Sequence, residues 1–329
     1  MKYLIPFITL FLLCNKTPSE INIQEKERQC IAEAIKIAER YSSTIWSNFD
    51  STPFTLLLVT NDYEFLIHHP NPSEDFTFLK YDALLKSKIY YRKTQFSTGF
   101  LATFPAVNGV NCIVVGTPEN TGRNTTEWII TLLHEHFHQY VYNSPNYYNA
   151  VNQLDLANGD NTGMWMLNFP FPYTSEAVST TFNAYTKSLK QLSSIENASS
   201  SEFKKAHQLY IKNRLAFKAS ISDKDYKYFS FQLWQEGIAR YTEIKFLEAM
   251  INYEASPAIK TLNDFIAFNT YIKEMLKKEN DKLETYQLKD NKRVCFYAIG
   301  MAEGLILDKL NPSWRSNYLD KKFFLEKYQ

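Results

Sequence analysis

The chain has 329 residues, of which 45% are apolar and 22% are charged. This composition excludes a mainly disordered protein, and the length suffices for one large domain or two packed lobes. The 36 Lys and Arg residues nearly balance the 35 Asp and Glu residues, so the net charge is only +1. We therefore expect no nucleic-acid partner and no attraction to an anionic membrane surface. Glycine occurs 9 times, which argues against a Gly-rich nucleotide-binding fold.

The N-terminus carries the pattern of an export signal. Residues 3–13 are largely apolar, too short to span a bilayer as a helix, and typical of a secretory signal peptide. The stretch ends at Cys14 and resembles a bacterial lipoprotein signal, although Leu13 replaces the small residue usual there. We predict a signal peptide over 1–13, a linker over 14–26, and a cell-envelope protein lipid-anchored at Cys14. Secretion after cleavage at another point is the alternative.

The remaining cysteines are too far apart to form a disulfide framework or a zinc ribbon. They are Cys30, Cys112 and Cys295. We expect buried thiols, with one disulfide as the alternative in an oxidising compartment.

Strand-like segments come first along the chain and helical segments follow. Helical spacing of apolar residues predicts a first helix over 27–49. The predicted strands are 54–60, 88–94, 98–104 and 110–116. The later predicted helices are 125–143, 175–191, 202–220, 223–252, 257–278, 292–310 and 318–327. This order favours the α+β class.

Two stretches between the later helices read as loops. Residues 144–174 are rich in Asn, Pro and aromatics and are too long for an ordinary connector, which is typical of a lid or a binding loop. Residues 193–202 are polar and predict a surface linker.

Three of the chain's six histidines lie between residues 134 and 138, in the pattern H-E-x-x-H. On a helix, His134 and His138 are one turn apart on the same face, so both imidazoles can bind one Zn²⁺ ion. Glu135 projects beside them and is the candidate general base. His136 points elsewhere, and we expect a structural role for it.

The surroundings of this motif support a half-buried helix. Asn124 and Glu127 form a capping-box pattern at its start. The apolar residues that follow, among them Trp128 and Leu133, indicate a buried face. Burying polar side chains there costs free energy unless they are paired or bind a ligand.

A catalytic zinc site needs a third protein ligand. A third histidine at position 144 is excluded, since the chain has Ser144 there. For His68, His69 and His207 we expect ordinary exposed or hydrogen-bonded roles.

The best acidic candidate is Glu236, in a segment that resembles the gluzincin metallopeptidases. The family helix reads W-x-x-E-G-x-A-x-Y, and Trp234, Glu236, Gly237, Ala239 and Tyr241 match it, with the tryptophan one residue nearer the glutamate. The resemblance implies that Glu236 binds zinc. We further expect the small residues Gly237 and Ala239 to let the two site helices approach closely.

Other acids remain candidates because Glu236 follows His138 at a longer interval than is usual in that family. They are Glu176, at the start of a predicted helix, and Asp155 and Asp160, in the long loop. Among these three, Glu176 is the strongest rival.

Peptide hydrolysis also needs a donor to the developing oxyanion. We assign this role to Tyr241, with Tyr297, Arg240 and His207 as alternatives. Glu243 is a candidate for orienting a ligand histidine, with a solvated salt bridge as the alternative.

Together these observations predict a zincin-like α+β fold. A small mixed sheet packs on the H-E-x-x-H helix in an N-terminal lobe over 27–143, and a mainly helical lobe over 144–329 supplies the third ligand. The metal centre is His134, His138 and Glu236 with one Zn²⁺ ion, and the catalytic residues are Glu135 and Tyr241.

The predicted activity is zinc-dependent hydrolysis of a peptide or protein substrate, which the edge strand 98–104 could hold by strand addition. Two other functions remain open. One is a surface lipoprotein that acts as a binding module with a structural or degenerate zinc site, and the other is a hydrolase with a different substrate on the same scaffold. The sequence does not indicate the oligomeric state.

Overall fold

The computed structural model describes residues 21–328. The signal peptide predicted over 1–13 and the anchor at Cys14 lie outside the described residues. The predicted α+β class is confirmed, because a six-stranded mixed sheet is complete by Gly116 and helices follow it. Across residues 21–328, no helix combines the length and the apolar character that crossing a bilayer requires.

The first helix, α1, spans Glu25–Ile45 and is shorter than the predicted 27–49. The chain leaves the helix because Asn48 takes the left-handed conformation (φ 60°) and a short 3₁₀ turn follows. Ile21 and Ile23, which fall in the predicted linker, are buried in the core. The folded part of the chain therefore begins earlier than residue 27.

Six strands form one open sheet in the order β3-β4-β2-β1-β6-β5. The strands are β1 (Leu56–Val59), β2 (Tyr63–Ile67), β3 (Thr77–Asp82), β4 (Ser87–Lys93), β5 (Leu101–Val107) and β6 (Val110–Gly116). Strands β1 and β6 are parallel and the other neighbours are antiparallel. The edge strands are therefore β3 and β5.

Both faces of the central strands are covered. Alternation along β1 places Leu56 and Leu58 in the main core beneath the helices, and Leu57 and Val59 in a smaller cluster on the opposite face. This two-sided burial explains why β1 reads as a continuous apolar run.

Strands β2 and β3 are absent from the predicted set, for different reasons. Strand β2 has Glu64 at its second position, fully buried, where it accepts hydrogen bonds from Arg92 and from the backbone N–H groups of Gln95 and Phe96. Strand β3 lies at the edge and is mostly exposed, so it lacks an apolar pattern. A buried, paired glutamate interrupts an apolar run, and an exposed edge strand has no apolar face, so neither strand shows the hydrophobic pattern by which strands are predicted.

The helices after the sheet begin with α2, Thr125–Tyr142, which carries the H-E-x-x-H motif. The others are α3 (Tyr147–Asn152), α4 (Trp165–Asn168), α5 (Glu176–Ser193), α6 (Ser201–Ala219), α7 (Asp223–Gln232), α8 (Ile238–Ala249), α9 (Pro257–Lys260), α10 (Phe268–Thr285), α11 (Leu288–Asn291) and α12 (Cys295–Leu310). A π-helical turn, Leu233–Gly237, joins α7 to α8.

Two of the predicted helices are wrong. The segment 257–278 is divided between α9 and α10, which are separated by a turn. The segment 318–327 is largely irregular and ends in a 3₁₀ turn at Leu325–Tyr328, since Phe323 has a left-handed backbone (φ 71°).

The segment 144–174 is more ordered than a loop. It contains α3 and α4, and Tyr147 and Trp165 are buried. The carbonyl of Met166 accepts hydrogen bonds from Tyr228 and Gln232 of α7, at 2.9 Å each. The segment is therefore fixed against the helix that leads to the π turn.

Helix α12 lies directly against the π turn. A Cβ atom on Gly237 would come within 2.4 Å of the Gly300 Cα atom, and one on Gly300 would come within 2.5 Å of the Leu233 carbonyl oxygen. The expectation that Gly237 lets its helix approach the H-E-x-x-H helix is therefore wrong. The close approach that Gly237 allows is to Gly300 of α12.

The three described cysteines, Cys30, Cys112 and Cys295, are free and buried, as expected.

Candidate metal centre

Helix α2 is held firmly at both ends. The predicted capping box is present: the Asn124 side chain accepts from the Glu127 backbone N–H, and the Glu127 side chain accepts from the Asn124 N–H. Farther along, the amide of Gln139 donates to the carbonyls of Thr55 and Asn111 at 2.8 Å each. These bonds fix the register of α2 against the sheet, and with it the direction of the motif side chains.

Glu236 reaches the motif from the π turn. A π turn inside an α-helix changes the direction of the side chains within it, and such turns are frequent at functional sites. The turn also contains Trp234, whose buried indole donates to the Tyr328 hydroxyl, and Gln235, whose side chain bonds to Tyr142 and Tyr147. The neighbours of Glu236 are thus anchored to other elements.

The three candidate ligands converge. The Nε2 atoms of His134 and His138 are 3.2 Å apart, and a Glu236 carboxylate oxygen lies 3.6 Å from the first and 3.5 Å from the second. Both imidazoles are buried, and 14% of the Glu236 side chain is exposed. This group could hold a metal ion, and within residues 21–328 it is the one set of His, Cys, Asp and Glu side chains with that arrangement.

Glu243 sets the tautomer of His134. Glu243 follows Glu236 by two helical turns. Its carboxylate lies 2.5 Å from Nδ1 of His134 and also accepts a hydrogen bond from Arg240 at 2.8 Å. When His134 is neutral, its proton therefore lies on Nδ1, which leaves the Nε2 lone pair available to a cation. The predicted orienting role of Glu243 agrees with this geometry.

The charges of the cluster are strongly coupled. Burial disfavours protonation of His134, but its contacts with Glu236 and Glu243 outweigh burial and raise its pKa to about 9. Burial likewise opposes ionisation of Glu236, yet the two imidazoles hold the pKa of its carboxyl well below the usual range. In the absence of a cation, therefore, the negative charge of Glu236 favours the protonated form of His134.

Glu135 lies beside the cluster and is held by the edge strand β5. The Thr103 hydroxyl is 2.9 Å from both the Glu135 carboxylate and its backbone carbonyl. Thr103 and Glu135 are both buried. The sequence reasoning did not identify Thr103, because a threonine in a strand gives no signal of its partner.

His136 points away from the cluster, as predicted. Its ring packs between Phe49 and Phe54, with centroid distances of 4.8 and 4.5 Å, and its Nδ1 atom bonds to Gln139. Burial lowers its pKa to about 4, so the ring is neutral. Its role is in packing.

The rival ligands lie elsewhere. Glu176 and Asp155 are exposed, and the carboxylate of Asp160 accepts from Thr162 and from the Trp165 N–H as a local cap. The histidines outside the motif are also accounted for in packing: His68 and His69 bond to backbone carbonyls, and the His207 ring stacks on Phe203.

The structure does not bring Tyr241 to the cluster. Its hydroxyl donates to Asp308 at 2.8 Å, and its ring packs against Trp46 and Trp314. The physical reason is its position five residues past Glu236, which turns it about 140° around the helix.

Tyr297 of α12, weighed as an alternative to Tyr241, is beside the cluster instead. Its ring stacks on His134 with a centroid distance of 6.3 Å and an interplanar angle of 12°. Burial and then the Glu236 carboxylate raise the pKa of its phenol, so the hydroxyl keeps its proton. Tyr297 is only partly buried, and it can donate into the site.

Two further neighbours were missed. The Tyr142 ring stacks on His138 at 5.5 Å, and Arg293 donates to the Tyr297 hydroxyl at 3.0 Å. A helical-spacing argument could have found both, since Tyr142 follows His138 by one turn and Tyr297 follows Arg293 by one turn.

The residues present fit a divalent cation. Two imidazole nitrogens and a carboxylate oxygen, from His134, His138 and Glu236, all lie within 4.8 Å of one another. Nδ1 of His138 is buried without a partner, so that ring gains no compensation from its other side. A cation at the centre would satisfy all three ligands, and this N/O set is one that Zn²⁺ prefers.

No protein-family model, no curated protein and no solved structure matches the chain.

Proposed function

We propose that the protein is a zinc-dependent hydrolase of peptide bonds, with a zincin-like fold of the gluzincin type. The observation that carries the proposal is the convergence of His134, His138 and Glu236, with the acid Glu135 close enough for its charge to act on His134. The two-histidine, one-glutamate set leaves a fourth position open in a tetrahedral site, which is the arrangement of catalytic zinc. The gluzincin resemblance around Glu236 supports the same assignment.

A zinc ion held by these ligands would supply Lewis acidity toward a carbonyl oxygen and would lower the pKa of water. Glu135 then takes the proton of the attacking water and delivers it to the leaving amine. Thr103 holds the carboxylate of Glu135 in place through its hydroxyl. Tyr297 donates its phenolic proton toward the oxyanion, a role that its position suits better than that of Tyr241.

The edge strand β5 is the proposed platform for the substrate. It ends the sheet on the side of α2, and its Thr103 touches Glu135. An extended peptide that pairs with the free edge of β5 would run past the general base. Pro105, in the strand, cannot donate a ladder hydrogen bond, which is tolerated at an edge.

The test combines metal analysis with one isosteric substitution. We expect about one zinc ion per molecule in the purified protein and in Glu135→Gln, because Glu135 is not a ligand. We expect Glu135→Gln to lose about 10² to 10⁴ in kcat on a peptide library, the usual contribution of a general base. Zinc with no turnover in the unmodified protein would favour the structural-zinc binding module instead. Full activity in Glu135→Gln would remove the general-base assignment.

The proposed location is the cell envelope, through a lipid on Cys14, or the exterior after secretion. It is supported by the leader sequence alone. Metabolic labelling with a fatty acid tests it: label should enter the unmodified protein and be lost in Cys14→Ser. Equal labelling of both would exclude an anchor at this cysteine.

A further inference from the structure

Arg293 is a half-buried arginine near the candidate metal ligands, and none of the ion pairs among residues 21–328 includes it. The arginines that lie within 4.0 Å of a carboxylate are Arg28, Arg92, Arg214, Arg240 and Arg315. Among residues 21–328, the bonded partner of Arg293 is instead the neutral hydroxyl of Tyr297. A guanidinium has five N–H donors, so most of its hydrogen-bonding capacity is free for a ligand.

The position of Arg293 is fixed by the local backbone. It lies in the 3₁₀ turn Lys292–Val294 that leads into α12. Lys292 has φ 47° and ψ −134°, a conformation that costs energy for a residue with a side chain. The Arg293 side chain also bonds to Tyr297 one turn later, and its guanidinium carbon lies 5.9 Å from the centre of that ring.

The distance to the metal ligands is short. The Tyr297 ring centre is 5.9 Å from the guanidinium carbon and 6.3 Å from the His134 ring centre. The guanidinium and the imidazole therefore lie at most about 12 Å apart, which is the length of three or four extended residues. One extended peptide could therefore place a bond near His134 and another of its groups at Arg293.

The charge balance favours an anion at this place. Burial opposes the charged form of Arg293, but Tyr297 and the Glu236 carboxylate keep its pKa raised, so the guanidinium is charged. A divalent cation bound by Glu236 neutralises the carboxylate whose charge acts on Arg293. The guanidinium is then a desolvated positive charge without a counter-charge, and it gains most from a carboxylate in fork geometry.

The geometry points to a carboxylate-binding subsite at Arg293, so that the enzyme acts on peptides with a carboxylate within a few residues of the scissile bond. This inference rests on the proposed function. The carboxylate can come from the C-terminus of the substrate or from an Asp or Glu side chain, and the experiment separates these two sources.

The experiment measures both binding and hydrolysis for a set of acetylated tetrapeptides of Ala and Phe. The set contains the free acid, the C-terminal amide, and amides with one Glu or one Gln in place of Ala. Binding is measured by calorimetry on zinc-loaded Glu135→Gln protein, in which we expect turnover to be about 10² to 10⁴ times slower. The variant Arg293→Gln is compared with Arg40→Gln, a matched change at an exposed arginine of α1.

We expect a peptide with a carboxylate to bind at least about tenfold more tightly than its neutral partner, the range of a charged hydrogen bond. Arg293→Gln should abolish this preference without changing zinc content, and in active protein the loss should appear in KM more than in kcat. Arg40→Gln should keep it. Preference for the free acid assigns the C-terminus, and preference for the Glu amide over the Gln amide assigns a side chain.

Two results would overturn the subsite: equal binding of charged and neutral peptides, or a preference that survives Arg293→Gln. The outcomes also separate the subsite from the enzyme activity. Hydrolysis with no carboxylate preference overturns the subsite and keeps the proposed function. A preference that depends on Arg293, in a protein that hydrolyses none of the peptides, supports the subsite and contradicts the proposed function.

Discussion

The molecule contains two buried polar clusters that differ in how their donors and acceptors match. In the metal cluster, a carboxylate oxygen of Glu236 lies 3.6 Å from Nε2 of His134 and 3.5 Å from Nε2 of His138. In the second cluster, Glu303 of α12 accepts from Tyr185 at 2.5 Å, from Tyr210 at 2.6 Å and from Arg214 at 2.9 Å. Both clusters are buried, but the Glu303 carboxylate is surrounded by hydrogen-bond donors that include an arginine, and the Glu236 carboxylate faces two imidazoles.

The difference separates a structural carboxylate, Glu303, from a candidate metal ligand, Glu236. Glu303 is neutralised by Arg214, which also donates to Tyr226 and Glu326, so every strong donor in that network has an acceptor. Such a network is complete without any added species, and its expected role is stability. Among the described residues, the metal cluster has no arginine or lysine in contact with Glu236, and a metal ion could supply the missing positive charge. The presence or absence of a cationic side-chain partner therefore distinguishes a structural buried carboxylate from a candidate ligand.

The largest effect should follow from removal of the arginine in the Glu303 cluster. Arg214→Ala leaves a buried carboxylate without its counter-charge, and we expect a loss of about 3–5 kcal/mol in the free energy of unfolding. Denaturant titration measures this loss. The control is Lys212→Ala, an exposed change on the same helix, whose free energy of unfolding should stay within about 0.5 kcal/mol of that of the unmodified protein. Zinc bound per folded molecule should stay the same. Loss of zinc in folded Arg214→Ala protein would contradict the conclusion that the Glu303 cluster acts only on stability.

An intermediate effect should follow from neutralising the acid behind His134. Glu243→Gln keeps an acceptor for the Nδ1 proton but removes the charge, and we expect about 10- to 100-fold weaker zinc binding. Competition with a chelator of known affinity measures it. Glu248→Gln, an exposed change on the same helix, is the control. Unchanged zinc affinity in Glu243→Gln would show that this acid serves only its salt bridge with Arg240.

The smallest effect should come from the hydroxyl that holds the general base. Thr103→Val removes one hydrogen bond to Glu135 and keeps the side-chain shape, and we expect kcat to fall about three- to tenfold. Thr103→Ser should restore most of the rate, which a purely steric effect would not allow. Kinetics and zinc analysis on the same samples check both points. A rate loss that Ser fails to restore would assign Thr103 to packing.

The sequence predicted the parts of the site that lie on one helix. His134, Glu135 and His138 are separated by helical spacing, and the cap at Asn124 marks where that helix begins, so local rules were sufficient. Glu236 was found through a family pattern and not through spacing. The α+β class followed from the order of strands and helices.

The parts that failed depend on contacts between distant segments. Tyr241 matches the family pattern and Tyr297 does not, yet the packing of α12 against α8 places Tyr297 beside His134 and leaves Tyr241 on Asp308. The strand β2 was hidden by Glu64, whose burial is stabilised by Arg92 on another strand. In each case the deciding partner is far along the chain, beyond the reach of periodicity.

The π turn at Leu233–Gly237 has a consequence for motif searching. A wide turn accommodates one more residue than the α turn that it replaces, so the two halves of the long helix are offset by about 100°. A template with a fixed spacing can then match the residues before the ligand or those after it, and it fails on the other half. Pattern searches that let the spacing at the ligand turn change by one residue in either direction are the appropriate way to find other chains with this turn.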